Sequence, residues 1–98
     1  MTGLVFLRQA LEELFEAKDF YEKDSPEAAE AFSSEIDRIS LLISQNPSIG
    51  TPARHGLRRF TVQQFPYTII YRIEADRVFV IAVAHHRREP EYWRNRLK

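Results

Sequence analysis

The chain has 98 residues, 44% of them hydrophobic, which is enough for one domain that buries about two thirds of its unfolded surface around a real core. It contains no cysteine, which excludes disulfides, a thiolate nucleophile and any cysteine-based metal site; its apolar runs all fall short of the ~20 residues of a membrane span, and its start lacks a basic leader, so a cytoplasmic protein is expected. The formal net charge of zero hides a polarity: residues 1–50 hold ten Asp and Glu against four Lys and Arg, residues 51–98 hold the reverse, and eleven of the fourteen cations are arginine.

In chain order, Leu4–Leu7 reads as a short edge strand. Leu7, Ala10, Leu11, Leu14, Ala17, Lys18 and Tyr21 then follow the three-to-four spacing of one helical face, which leaves Glu12, Glu13, Glu16 and Asp19 mostly opposite, as its solvated side. The run Asp24-Ser25-Pro26-Glu27 restarts the chain: Ser25 suits an N-cap, Pro26 the first helical position, and Glu27 the positive helix end. A second helix carries Ala28, Ala29, Phe32, Ile36, Ile39, Leu42 and Ile43 on one face, and Asn46-Pro47 stops it. So short a junction predicts an antiparallel helical hairpin.

Residues 48–56 form a turn-rich connector, and Leu57–Gln63 reads as a strand. Tyr67–Ile73 and Val78–Ala84, rich in Val, Ile, Tyr and Phe and separated by four residues, predict an antiparallel β-hairpin. Pro90 is placed to open a short helix through Arg96. The predicted class is α+β, one domain over residues 1–98, in the order β-α-α-β-β-β with a short C-terminal helix. The helical hairpin packs on a small, mostly antiparallel sheet.

Chemistry-bearing residues gather where the β-hairpin ends, in His85-His86-Arg87-Arg88 and then Tyr92-Trp93-Arg94-Asn95-Arg96. Adjacent strand positions point to opposite faces, so the two imidazoles do not share a metal, and His55 alone completes no ligand set. No serine sits in a nucleophile-elbow context, and no phosphate-cradling glycine motif is present. A site of metal ions or cofactors is therefore not expected. Alternation puts Tyr67, Ile69, Tyr71 and Ile73 on one face of their strand and Thr68, Ile70 and Arg72 on the other. Arg72 has two readings: a strand-end arginine with a packed stem, or part of a cationic surface with Arg58 or Arg59. Trp93 is expected to pack against the sheet, and Tyr92 to make an exposed contact. The charge polarity also has two readings, internal pairing of acidic helices with basic strands, or a basic face for an anionic partner.

Taken together, the segments Ser25-Pro26-Glu27-Ala28-Ala29…Phe32, Phe65-Pro66-Tyr67-Thr68-Ile69-Ile70-Tyr71-Arg72 and His85…Arg87-Arg88-Glu89-Pro90-Glu91-Tyr92-Trp93…Arg96 resemble the RelE/ParE toxin superfamily, closer to its ParE branch. The resemblance covers nearly the whole chain. It implies a helical hairpin on a small antiparallel sheet, acting as the toxin of a type II toxin–antitoxin module of the plasmid-stabilisation kind. A cognate antitoxin, whose flexible segment wraps the toxin, would neutralise it. ParE-like members are associated with inhibition of DNA gyrase, RelE-like members with cleavage of messenger RNA in the ribosome.

The gyrase reading places the target contact on Arg87, Arg88, Tyr92 and Arg96. The nuclease reading needs a proton acceptor, cations for a charged phosphorane and a leaving-group acid. Its candidates are Arg58, Arg72, His85, His86, Arg87 and Tyr92. RelE-like members draw on sheet lysines; here the sheet offers arginine only, which is no base at neutral pH, and this favours gyrase. A non-toxic binding domain of the same fold is the third reading. The pattern leaves open whether the free chain is a monomer or a homodimer.

Overall fold

The structure, a computed structural model, describes residues 2–97. Its elements are β1 (Gly3–Phe6), α1 (Arg8–Asp24), α2 (Pro26–Gln45), β2 (Thr51–Pro52), β3 (Arg58–Thr61), β4 (Tyr67–Glu74) and β5 (Arg77–His85). At the helical junction the Ser25 Oγ accepts the Ala28 N–H at 3.0 Å, with Pro26 in the first turn. One orphan donor of α2 is thereby satisfied, and the sequence reading of this corner holds. Asn46 ends α2 as expected. No helix among the described residues is long and apolar enough to cross a membrane.

The five strands run in the order β1-β5-β4-β3-β2. All neighbours are antiparallel except β1, which lies parallel to β5 from Gly3 against Arg77 to Phe6 against Val80. The connector contributes a strand the sequence does not announce, since Thr51-Pro52 pairs with Arg58 and Arg59. A phenol and a guanidinium fix it, Arg58 by donating to the Ser48 and Gly50 carbonyls. Tyr71, fully buried, donates its hydroxyl to the Pro47 carbonyl at 2.6 Å and accepts the Gly50 N–H at 2.9 Å. Gly50 is required there, because a Cβ would stand 2.6 Å from that hydroxyl.

Alternation along β5 breaks once. The register passes from Ile70 against Ala82 to Tyr71 against Val80, so Ile81 is the extra residue of a β-bulge. Val78, Val80 and Val83 consequently share one face with Ile69 and Tyr71, while Ile81 and Ala82 both turn to the other with Ile70. The first face meets the helices through Ala10, Leu14, Ala17, Phe32, Ile36, Ile39 and Ile43. Leu11, placed on that face by spacing, stays partly exposed.

The second face is closed by the chain after β5, with Trp93 buried against Leu57, Ile70, Ile81 and Ala82. The short C-terminal helix is narrower than the sequence suggests. It is a single 3-10 turn, Arg94–Leu97, because Glu91 takes a left-handed φ of 58° that stops a helix from starting at Pro90.

Candidate functional site

β1 stops at Phe6, and after the Leu7 N–H to Val80 carbonyl bond the outer edge of β5 has no strand beside it among the described residues. Side chains cap it instead. Glu13 of α1 accepts the Val83 N–H at 3.0 Å, and Arg96 donates to the Ile81 carbonyl at 3.1 Å. The same two side chains meet in a two-pronged ion pair, Arg96 to Glu13 at 2.8 and 3.0 Å, and the Tyr92 hydroxyl also donates to Glu13. Both charges are largely withdrawn from water, at 13% and 15% exposed, so removing either partner would leave the other poorly solvated and cost more than breaking a surface salt bridge. Burial, with the Glu13 hydrogen bond second, pushes the Tyr92 phenol far up, so it stays protonated.

This hub holds the segment after β5, residues 86–97, as an arm folded across the sheet. The Arg88 guanidinium lies 3.9 Å over the Tyr92 ring and Arg96 5.1 Å from its centre. Glu91 ties the base of the arm to the connector by accepting from Arg54 at 3.3 Å and sharing a hydrogen bond with His55 at 2.9 Å; Arg94 also donates to it. These donors, His55 first, hold the Glu91 carboxyl below its usual range.

Between arm and connector opens a cleft of about 730 Å³ on the sheet face away from the helices. Its charged and imidazole lining comes from Arg54, Arg59, His85, His86 and Arg88 with Glu89 and Glu91, and Thr68 adds a hydroxyl. A shallower depression across β3 shares Arg59 and Thr68 with it and continues to Thr51.

The candidates from sequence separate into three places. Arg87 and Arg88 are exposed, with no carboxylate within ion-pair distance among the described residues. Tyr92 and Arg96 are held inward by Glu13 and do not join them as free contacts. Arg58 and Arg72 lie apart: Arg58 donates to the carbonyls of Ser48 and Gly50, whereas Arg72 packs on Phe79 with Glu74 beside it. Arg58 therefore does not join Arg72 in a cationic surface; Arg59, paired with Ile70, is the one of the two on the Arg72 face of the sheet.

The two histidines do face opposite ways. His85 sits edge-on to Tyr67, 5.0 Å between ring centres, and its Nδ1 accepts the Arg87 N–H at 3.0 Å. Burial first, then the charges of Arg87 and His86, push its pKa down, so His85 is neutral at pH 7. His86 turns to the cleft and shares a 3.0 Å hydrogen bond with the Thr68 hydroxyl. Among the described residues no three His, Asp or Glu side chains are grouped to hold a metal ion.

Glu13, Thr68 and Glu91 were not singled out from sequence; Arg59 was considered only beside Arg72, and His55 only as a lone imidazole that completes no ligand set. One signal for Glu13 was present: it lies three residues after Ala10 and four before Ala17, both buried, hence on the flank of the packed face.

Comparison with known proteins adds identity to this geometry. Residues 4–90 match the family described as ParE toxin of type II toxin-antitoxin system, parDE. A Sinorhizobium fredii protein named "Putative toxin Y4kP" is 33% identical over 85 residues, covering 85% of this chain and 88% of that one. A solved structure of the chromosomal ParDE TA system from P. aeruginosa superposes with a TM-score of 0.75 at 22% identity, covering 87% of this chain and 96% of that one, so it shares the fold. The chain belongs to the ParE toxin family of type II toxin–antitoxin systems.

Proposed function

We propose that this protein acts in the cytoplasm by inhibiting DNA gyrase, with the arginine-bearing arm as its contact surface, and that a cognate antitoxin neutralises it. The observation that carries the reading is the disposition of the proton-exchanging groups. A ribonuclease of this fold needs a base and an acid on the two sides of one phosphate. Here both histidines border the cleft, but the His85 ring is packed edge-on against Tyr67 with its Nδ1 taken by the Arg87 N–H, and His86 is engaged by the Thr68 hydroxyl. The Tyr92 hydroxyl is bound to Glu13, and the sheet has no lysine. What remains is a recognition surface: two solvent-facing guanidiniums on an ordered arm, of the kind in which a few arginines carry most of the binding energy.

Antitoxin docking is supported by the apolar side chains that α1 leaves in solvent, Phe20 at 65% exposed and Phe15 at 52%. They suit a partner segment that folds as it binds.

The ribosome-dependent nuclease keeps one observation in its favour, since His86, Thr68 and Arg59 share the cleft. A supercoiling assay decides between them. Added protein should inhibit gyrase in proportion to its dose, and the product of the adjacent antitoxin gene should relieve it. Supercoiling left intact, beside messenger cleavage on programmed ribosomes that drops about 10²–10⁴-fold on His86→Ala, would overturn the gyrase reading.

A further inference from the structure

We infer that Glu13, on α1, is the positioning residue of the contact surface: it sets the place of Arg88 through Tyr92. The inference rests on the arm being that surface. The chain of contacts is short and continuous. Glu13 fixes the Tyr92 hydroxyl, and Arg88 lies over the Tyr92 ring with its central carbon 3.9 Å from the centroid. Arg96 approaches the same ring at 5.1 Å while making both of its ionic hydrogen bonds to Glu13. The carboxylate therefore locks the ring, and the locked ring supplies the platform for the one guanidinium of the stack that has no anionic partner among the described residues.

A long arginine side chain on a mobile arm would lose rotamer and backbone freedom when it meets a partner, and ordering it in advance removes that cost. Glu13 also receives the Val83 N–H of the open β5 edge, so the clamp is anchored to the most buried strand of the sheet rather than to another surface group. Glu91, within the arm itself, ties it to His55 and Arg54 of the connector and to Arg94, and has no part in the Tyr92 hydroxyl bond.

A purely structural role would be the sealing of the β5 edge, and the experiment separates the two. Glu13→Ala and the milder Tyr92→Phe are compared with wild type by thermal melt, by trypsin cleavage after Arg87 and Arg88, and by gyrase inhibition in both the Arg88 and the Arg88→Ala background. Glu13→Ala should speed arm cleavage and weaken inhibition about tenfold when Arg88 is present, the loss of roughly one hydrogen bond to a charged group, and should add little once Arg88 is gone. Tyr92→Phe should follow in the same direction with a smaller change, and with its core melting transition kept. Equal losses of inhibition in both backgrounds, or an arm no more cleavable in either variant, would overturn the inference. Should wild type itself leave gyrase untouched, the target reading falls, and the cleavage comparison alone still decides whether Glu13 positions the arm.

Discussion

The two faces of the sheet are closed by different physics. The helical face is sealed by regular secondary structure and apolar volume: Phe32, Ile36, Ile39 and Ile43 from α2 and Ala10, Leu14 and Ala17 from α1 press on Ile69, Tyr71, Val78, Val80 and Val83. The opposite face carries a smaller cluster, and what covers it is an irregular arm held by Trp93 and one carboxylate hub. Stability is thus concentrated on one side, and the proposed gyrase-contact surface lies on the other. Segments with fewer buried apolar contacts open at lower free energy than the core, so the arm depends on the Glu13 hub to keep its place.

The largest effects that test this division lie on the helical face. Phe32→Ala or Ile39→Ala removes a side chain that is at most 1% exposed and should cost about 2–5 kcal/mol in a denaturant titration. Tyr71→Phe comes next. It leaves the volume in place but strands the Gly50 N–H and the Pro47 carbonyl, for a loss of about 1–3 kcal/mol and a loosened connector. If Tyr71→Phe proves neutral, the connector is held by β2 pairing instead.

The helical face is also the one legible in sequence, and the reason is the range of the interactions. Three-to-four spacing and the Ser25-Pro26-Glu27 cap are local signals, and local signals were enough to place α2 and its buried residues. The β4–β5 hairpin followed for the same reason. The arm was not readable in this way. Glu13 gathers Val83, Tyr92 and Arg96 from 70, 79 and 83 positions away, contacts that no periodicity reports. Spacing placed Glu13 with the solvated residues of α1, because its burial depends on where a strand ends. The bulge at Ile81 likewise puts Ala82 and Val83 on the faces opposite to those that simple alternation from Val78 assigns them. Arg87 and Arg88, by contrast, stand out in the sequence directly after the hairpin, and their exposure in the fold depends on no distant partner.

A smaller effect sits at the seam of the two faces, on His85. Its pKa lies below the usual 6.5, so the folded protein favours the neutral imidazole. As pH falls through the usual value toward the depressed one, the unfolded chain takes up the proton first and stability drops; above that window the contribution is fully present. Melts between pH 7 and pH 5 should therefore show a loss that His85→Gln reduces. A loss of the same size in both proteins would place the titration elsewhere.

The smallest expected change in stability is the one that sharpens the contrast most. Arg87 is exposed, its side chain makes no ion pair among the described residues, and only its backbone N–H is engaged, with His85. Arg87→Ala should shift stability by no more than about 0.5 kcal/mol, as surface substitutions away from caps and networks do. The backbone bond survives the change, so the arm keeps its course. Gyrase inhibition should nonetheless weaken in a graded step, because a guanidinium at an interface contributes contact area, charge and donors together. A melt as damaged as that of Ile39→Ala would mean that the cationic end of the chain belongs to the fold, and the separation of stability from recognition would fail at the residue where it ought to be cleanest.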